Sequence, residues 1–255
     1  MTVHPNGTPD SCGVGWWEVR DPRVNTFYYG ERVSDVQDIL TGADADSADE
    51  VGSRRGGFRP IDPAVGDRGG PRYGEFIEQV RLFMDNVRLA CPTPEMGDDL
   101  IDTLKDLNAK LAAVQIDEWH TPAGTRIDLP ARGNITLPPF VIDNIDRENG
   151  SVEATVTFTN YHLGGNDAAH GGQVAVAFDD IGGYASAVAT NGICRTGYLR
   201  VDYRSVTPLN TALKMRAWAD RVEGRKAFIK GTMHDGDRLC AELDGLFIRL
   251  NPGQP

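Results

Sequence analysis

From about Ile135 to the C-terminus the apolar residues fall on every second position, and one stretch of this half breaks the pattern. SVEATVTFT alternates Val152, Ala154, Val156 and Phe158 with Glu153, Thr155, Thr157 and Thr159, as a strand with one buried and one wet face must. Glu148-Asn149-Gly150 is a hairpin signal that joins it to LPPFVIDNI. Four more strand-like runs follow: CRTGYLRVDYR, ALKMRAWADRV, KAFIKGTMHD and RLCAELDGLFIRL. Their links, Thr207-Pro208-Leu209-Asn210, Glu223-Gly224 and Asp235-Gly236-Asp237, are short and turn-like, which favours antiparallel neighbours.

The exception is HGGQVAVAFDDIGGYAS, His170 to Ser186. Read locally it is either a strand, VAVAF, between glycine turns, or a glycine turn that opens a helix. A long antiparallel sheet has an apolar face that some other element must cover. As a helix the stretch aligns Val174, Phe178, Ile181 and Ala185 at i, i+4, i+7 and i+11, with alanines keeping it narrow. The pattern therefore predicts one central helix packed against the sheet.

The first half is different. Residues 1–70 hold apolar islands at Trp16–Val19 and Phe27–Gly30, a short helical pattern at Val33–Leu40 and a polar acidic run over 41–57; they read as a tail or as an arm that packs on the domain or on a partner subunit. Residues 71–130 read as a helical extension. Phe76, Val80, Phe83 and Val87 form one apolar stripe, Cys91-Pro92-Thr93-Pro94 breaks it, and Leu100, Leu104, Leu107, Leu111 and Val114 form a second. Such helices need a surface to cover. The sheet and its helix fill residues 131–255.

Charge and cysteines narrow the function. Residues 131–255 carry 13 Lys+Arg against 14 Asp+Glu, which leaves 13 against 23 in residues 1–130 and a formal net charge of −11 for the chain. An acidic chain is a poor nucleic-acid binder. No apolar run reaches the length of a membrane span, and the N-terminus lacks a basic start before an apolar core. Cys12, Cys91, Cys194 and Cys240 form no CxxC pair, so no metal site is expected and reduced, mostly buried thiols in a cytoplasmic setting are.

His170-Gly171-Gly172, then six residues, then Asp179 and a glycine-rich helix, resembles the hotdog-fold acyl-CoA thioesterases of the PaaI-like branch. The run GICRTGYLRVDYRSVTPLN, with the later VEGRK turn and FIRLNP ending, resembles the "thioesterase superfamily member" type. The resemblance spans about residues 130–255. It implies an α+β hotdog fold, a curved antiparallel sheet wrapped around one central helix, paired through its sheets into homodimers or tetramers. It further implies hydrolysis of an acyl-CoA thioester to acid and coenzyme A at the dimer interface, in lipid metabolism, with no cofactor beyond the coenzyme A of the substrate.

The residues fit that chemistry as follows. A helix N-terminus offers unpaired amides at its positive end, and glycines let a carbonyl approach them. Gly171 is the expected oxyanion donor, with Gly172 beside it. By the resemblance, Asp179 is the carboxylate that serves as general base on water or as nucleophile, and the spacing does not choose between them. Asp180 lies about 100° further round the helix and points elsewhere. By the resemblance, His170 lines the substrate site, Thr196 orients the water, and Arg225 and Lys226 hold the coenzyme A phosphates. Many PaaI-like members carry an asparagine six residues before the histidine; here Gly164 stands there, and Asn166 either takes over that part or the part is absent. A non-catalytic acyl-CoA-binding regulator is the competing reading, and the intact carboxylate at position 179 speaks against it.

Overall fold

The computed structural model describes residues 68–251 and Gln254. The islands, helical pattern and acidic run of the first 67 residues, and Cys12, lie outside the described residues. In chain order the elements are α1 (Tyr73–Leu89), α2 (Pro94–Ala112), β1 (Phe140–Asp146), β2 (Ser151–Thr157), β3 (Leu163–Gly165), β4 (Ala168–Ala169), α3 (Gly171–Thr190), β5 (Cys194–Tyr203), β6 (Ala212–Glu223), β7 (Lys226–Asp235) and β8 (Arg238–Arg249). Six of the strands form one antiparallel sheet in the order β1-β2-β6-β7-β8-β5, and each coincides with one of the period-two runs. β3 and β4 form a separate small hairpin that the periodicity does not signal.

HGGQVAVAFDDIGGYAS is a helix, and α3 packs against β2, β5, β6, β7 and β8. Val174, Phe178, Ile181 and Ala185, the expected face, are all at most 1% exposed. They meet the inward residues of the strands: Val152, Ala154 and Val156 of β2, Leu213, Met215 and Ala217 of β6, Ala227, Ile229 and Met233 of β7, and Leu243 and Phe247 of β8. Burying a side chain the size of Phe178 contributes about 2–3 kcal/mol. The helix comes so close to β8 that a Cβ on Gly182 would lie 2.7 Å from the Phe247 ring. It ends at Asn191, whose left-handed backbone (φ 49°) closes the last turn.

The N-terminal helices do not use the expected stripes. α1 docks through Ile77, which is buried, and through Arg81, Asp85 and Arg88. These four share a face because they recur every three or four residues. Arg81 donates to the carbonyls of Leu137 (3.0 Å) and Asn134 (2.7 Å), Asp85 accepts from the Tyr161 amide (2.7 Å), and Arg88 donates to the Leu163 carbonyl (3.2 Å). Loop carbonyls and amides offer partners only to polar side chains, so the polar face turns inward and Phe76, Phe83 and Val87 are left exposed. α2 is well started, with Pro94 in its first turn and Thr93 Oγ1 accepting from the Met96 amide at 3.3 Å. Yet none of its residues is buried, and no described element packs along it. Cys91 is exposed at the break, whereas Cys240 is buried and Cys194 half-buried; all three are free thiols.

Candidate functional site

The site begins with the loop that feeds α3. Thr159 and His162 close a capping box around a short 3-10 turn, Asn160–His162. The His162 carbonyl then accepts from the His170 amide at 2.8 Å, and the Thr207 carbonyl accepts from the Ala169 amide at 2.8 Å. Between them the β3–β4 hairpin turns on Asn166 (φ 50°) and Asp167 (φ 57°), the left-handed pair of a tight hairpin. The HGG turn is thus pinned on both sides before the helix starts.

His170 is the N-cap. Its Nδ1 accepts from the Gly172 amide at 3.0 Å, which places the neutral ring's proton on Nε2. The Gly172 amide is therefore occupied by His170, not open to a ligand as a pair of donors would require. The Gly171 amide has no acceptor among the described residues. Tyr203, at the end of β5, donates its hydroxyl to the Gly171 carbonyl at 2.7 Å and lays its ring over that glycine, where an added Cβ would sit 3.2 Å from it.

Asp179 stands half-buried in the middle of α3, and Thr196 Oγ1 donates to its Oδ1 at 2.7 Å. Thr196 is aimed there by an irregularity of β5: the pairing with β8 steps from Thr196–Phe247 to Tyr198–Leu246, so Gly197 is an extra residue in the strand. A bulge redirects side chains at a sheet edge, and glycine suits it because a Cβ on Gly197 would lie 3.2 Å from the Leu246 carbonyl oxygen. Thr196, Gly197, Tyr198 and Tyr203 are all exposed along this edge strand.

The neighbouring carboxylate has a different fate. Asp180 receives both terminal nitrogens of Arg132, at 2.7 and 2.9 Å, and Arg132 also donates to the Tyr184 hydroxyl at 2.8 Å. Arg132 and Ala131 both hold left-handed backbone, φ 56° and 49°, a costly conformation for residues with a Cβ that the ion pair helps to fix. Burial works against the Arg132 charge, but Tyr184 and Asp180 outweigh it and raise the group above its ordinary value. Burial, with the Asp180 charge, raises the Tyr184 phenol as well. Asp180 is a structural ion-pair partner between the helix and the 130–133 turn.

The other expected site residues separate. Asn166 is exposed at the hairpin tip and makes no side-chain hydrogen bond to a described residue. Gly164, where the PaaI-like pattern has asparagine, has no room for a side chain, since a Cβ there would lie 2.7 Å from the His170 Cα. Arg225 donates through Nη1 to the Arg249 carbonyl (3.0 Å) and to Gln254 Oε1 (3.1 Å). Lys226 is exposed and starts β7 in one row with Ile248 and Arg195. In register, that row faces away from the helix, while the next row, Ala227, Phe247 and Thr196, faces it. Tyr203, Arg132, Tyr184 and the Gly197 bulge were not anticipated. Only the Thr-Gly pair in Arg195-Thr196-Gly197-Tyr198 hinted at an interrupted strand. Among the described residues no cluster of metal-binding side chains occurs, and no helix is long and apolar enough to cross a membrane.

The distance along the helix is decisive. Gly171 and Asp179 are eight residues apart, so they are separated by about 12 Å along the axis. One carbonyl group cannot meet both in the same chain.

Residues 166–242 match the family described as "Thioesterase superfamily". The chain is 32% identical over 88 residues to the acyl-coenzyme A thioesterase THEM4 of Rattus norvegicus, a stretch that covers 34% of this chain and 37% of the rat protein. It is 36% identical over 85 residues to that of Xenopus laevis, covering 32% and 38%. The matched stretch thus spans little more than a third of these relatives. A crystal structure described as a thioesterase superfamily protein superposes with a TM-score of 0.60 at 23% identity, covering 69% of this chain and 94% of that one. The sheet and its central helix are a hotdog fold, as in that solved structure, and residues 166–242 are similar to the thioesterase superfamily.

Proposed function

We propose that this hotdog protein is an acyl-CoA thioesterase whose active site is completed by a second copy of the chain. The observation that carries the reading is the Asp179–Thr196 pair, a half-buried carboxylate held by a hydroxyl and facing an exposed sheet edge. The thioesterase match supports the reaction class.

β5 is a ten-residue edge strand, long and exposed, and such edges pair unless they are covered. Joining two β5 edges is the simplest way to bring Asp179 of one chain to the Gly171 amide of the other. The thioester carbonyl then lies between them. Asp179 takes a proton from water, which attacks the carbonyl, or its own oxygen attacks to give a mixed anhydride that water cleaves. The Gly171 amide, at the positive end of α3, stabilises the oxyanion. The tetrahedral intermediate collapses by expelling the coenzyme A thiolate. His170 holds the turn and lines the pocket. Lys226 and Arg195, in one row of the outer face, suit the phosphates of coenzyme A, with Arg225 shaping that turn from its contacts with the C-terminal segment. Free thiols at Cys91, Cys194 and Cys240 fit a cytoplasmic protein of lipid metabolism.

The test is turnover of a panel of acyl-CoAs followed with a thiol reagent. Wild-type protein releases coenzyme A, and Asp179→Asn lowers kcat by about 10²- to 10⁴-fold. No turnover on any chain length sinks the thioesterase reading in favour of a binding protein, and unchanged turnover in the variant sinks the assignment of Asp179.

A further inference from the structure

We infer that Tyr203 is a positioning residue for the Gly171 amide, acting through the hydrogen bond from its hydroxyl to the Gly171 carbonyl. The inference rests on the thioesterase reading above. The need for such a residue lies in the sequence. α3 starts with two glycines, which have the widest backbone freedom and are poor helix formers. The first turn is also where the helix has fewest bonds of its own. The amide assigned to the oxyanion thus sits where α3 is least ordered by itself.

Contacts from outside the helix supply the order. The peptide between Gly171 and Gly172 is held at both ends. Its N–H donates to His170 Nδ1 at 3.0 Å, and its carbonyl accepts from the Tyr203 hydroxyl at 2.7 Å. Two bonds on one peptide fix the rotation of its plane and reinforce each other, since accepting at the carbonyl makes the N–H a stronger donor. The Tyr203 ring adds a steric stop, 3.2 Å from where a side chain on Gly171 would begin. On the other side, the His170 amide is bonded to the His162 carbonyl at 2.8 Å. The Gly171 N–H between these anchors is left one direction.

Tyr203 reaches the helix because of Gly197. Residues seven apart in a regular strand lie on opposite faces. Thr196 and Tyr203 nevertheless both face α3, since they pair with Phe247 and Ala241 of β8, which are both buried. The extra residue at Gly197 brings them onto one face. β5 therefore holds both parts of the proposed machinery, Asp179 through Thr196 at one end and Gly171 through Tyr203 at the other. A purely structural role fits Tyr203 poorly, because it remains 54% exposed and so buries little apolar area.

Tyr203→Phe in the full chain tests this, with acyl-CoA turnover, urea unfolding and NMR of isotope-labelled glycines as readouts. The variant keeps the ring and loses the hydroxyl. Its kcat falls about five-fold, the size of one neutral hydrogen bond, while KM stays within about two-fold. The Gly172 amide proton moves upfield as its peptide loses polarisation, and the urea midpoint does not move. An unchanged kcat overturns the inference. So does a raised KM at constant kcat, which makes Tyr203 a substrate contact. A lower kcat with the Gly172 resonance unmoved means that the hydroxyl acts on the substrate itself, and also overturns it. Wild-type turnover that is lost in Asp179→Asn separates these results from a failure of the thioesterase reading; no turnover by the wild type sinks both.

Discussion

The hydroxyl of Thr196 donates to Oδ1 of Asp179 at 2.7 Å, across the gap between the edge strand and the central helix. The bond fixes one carboxylate oxygen and leaves the other for water or for a carbonyl carbon. Thr196→Val removes the donor at nearly constant shape. It lowers kcat by about 10-fold, the size of one hydrogen bond to a charged group, with KM nearly unchanged. Thr196→Ser restores the donor and most of the rate. Equal rates for the serine and valine variants reject the orienting part assigned to this hydroxyl.

Asp180 behaves oppositely. Its side chain is 18% exposed and shares a two-bond ion pair with Arg132, itself 17% exposed. Asp180→Asn leaves the guanidinium and the strained 131–132 backbone without their counter-charge. Unfolding free energy falls by about 3 kcal/mol, measured in urea, while kcat per folded molecule stays within about two-fold of wild type. Replacing both partners, Arg132→Met with Asp180→Leu, costs less than the single change, because no charge is stranded. A single variant that loses kcat but no stability reverses these assignments to Asp179 and Asp180.

What was legible in the sequence follows from which forces are local. The six strands and the central helix declare themselves because burial repeats with the period of the element, so Val152-Ala154-Val156 and Val174-Phe178-Ile181 need no distant information. The orientation of α1 was not legible. Its apolar stripe is the stronger pattern, but Arg81, Asp85 and Arg88 meet loop carbonyls and an amide that lie 53 to 76 positions further on. Helix geometry showed that Asp179 and Asp180 point in different directions, whereas Arg132 as the partner of Asp180 could not be read, because that contact joins residues 48 apart. The contacts of Arg225 Nη1 with the Arg249 carbonyl and Gln254 were not legible either, because they join residues 24 and 29 apart.

Those long-range contacts of α1 have a consequence for the site. Asp85 holds the Tyr161 amide and Arg88 the Leu163 carbonyl, and His162, between them, holds the His170 amide. Asp85→Ala with Arg88→Ala frees that loop. Amide hydrogen exchange across residues 159–172 accelerates by about 10-fold, while β6, β7 and β8 keep their protection, because local opening is governed by local contacts. Unchanged exchange at the loop dismisses the helix as a brace for the HGG turn.

His162 makes the same loop sensitive to pH. The ring is only 3% exposed, lies edge-on to Phe158 and Tyr161 at 5.8 and 5.4 Å, and accepts the Thr159 amide at Nδ1 (2.9 Å). Burial pushes the imidazole below its usual 6.5; the Asp85 carboxylate opposes this and the Arg81 guanidinium adds to it. The folded protein therefore keeps His162 neutral, and the unfolded chain binds the proton first. Its contribution to stability is complete above pH 6.5 and is lost as the pH falls below that value. The carboxylates with lowered values, Glu75, Asp117 and Asp146, are lost only in more acid solution, so the window just below 6.5 separates them. His162→Gln keeps an acceptor for the Thr159 amide and removes the titration. Thermal unfolding from pH ~8 to ~5.5 shows a drop in Tm for the wild type and a shallower one for the variant. Parallel curves for the two proteins mean that another group carries the pH dependence.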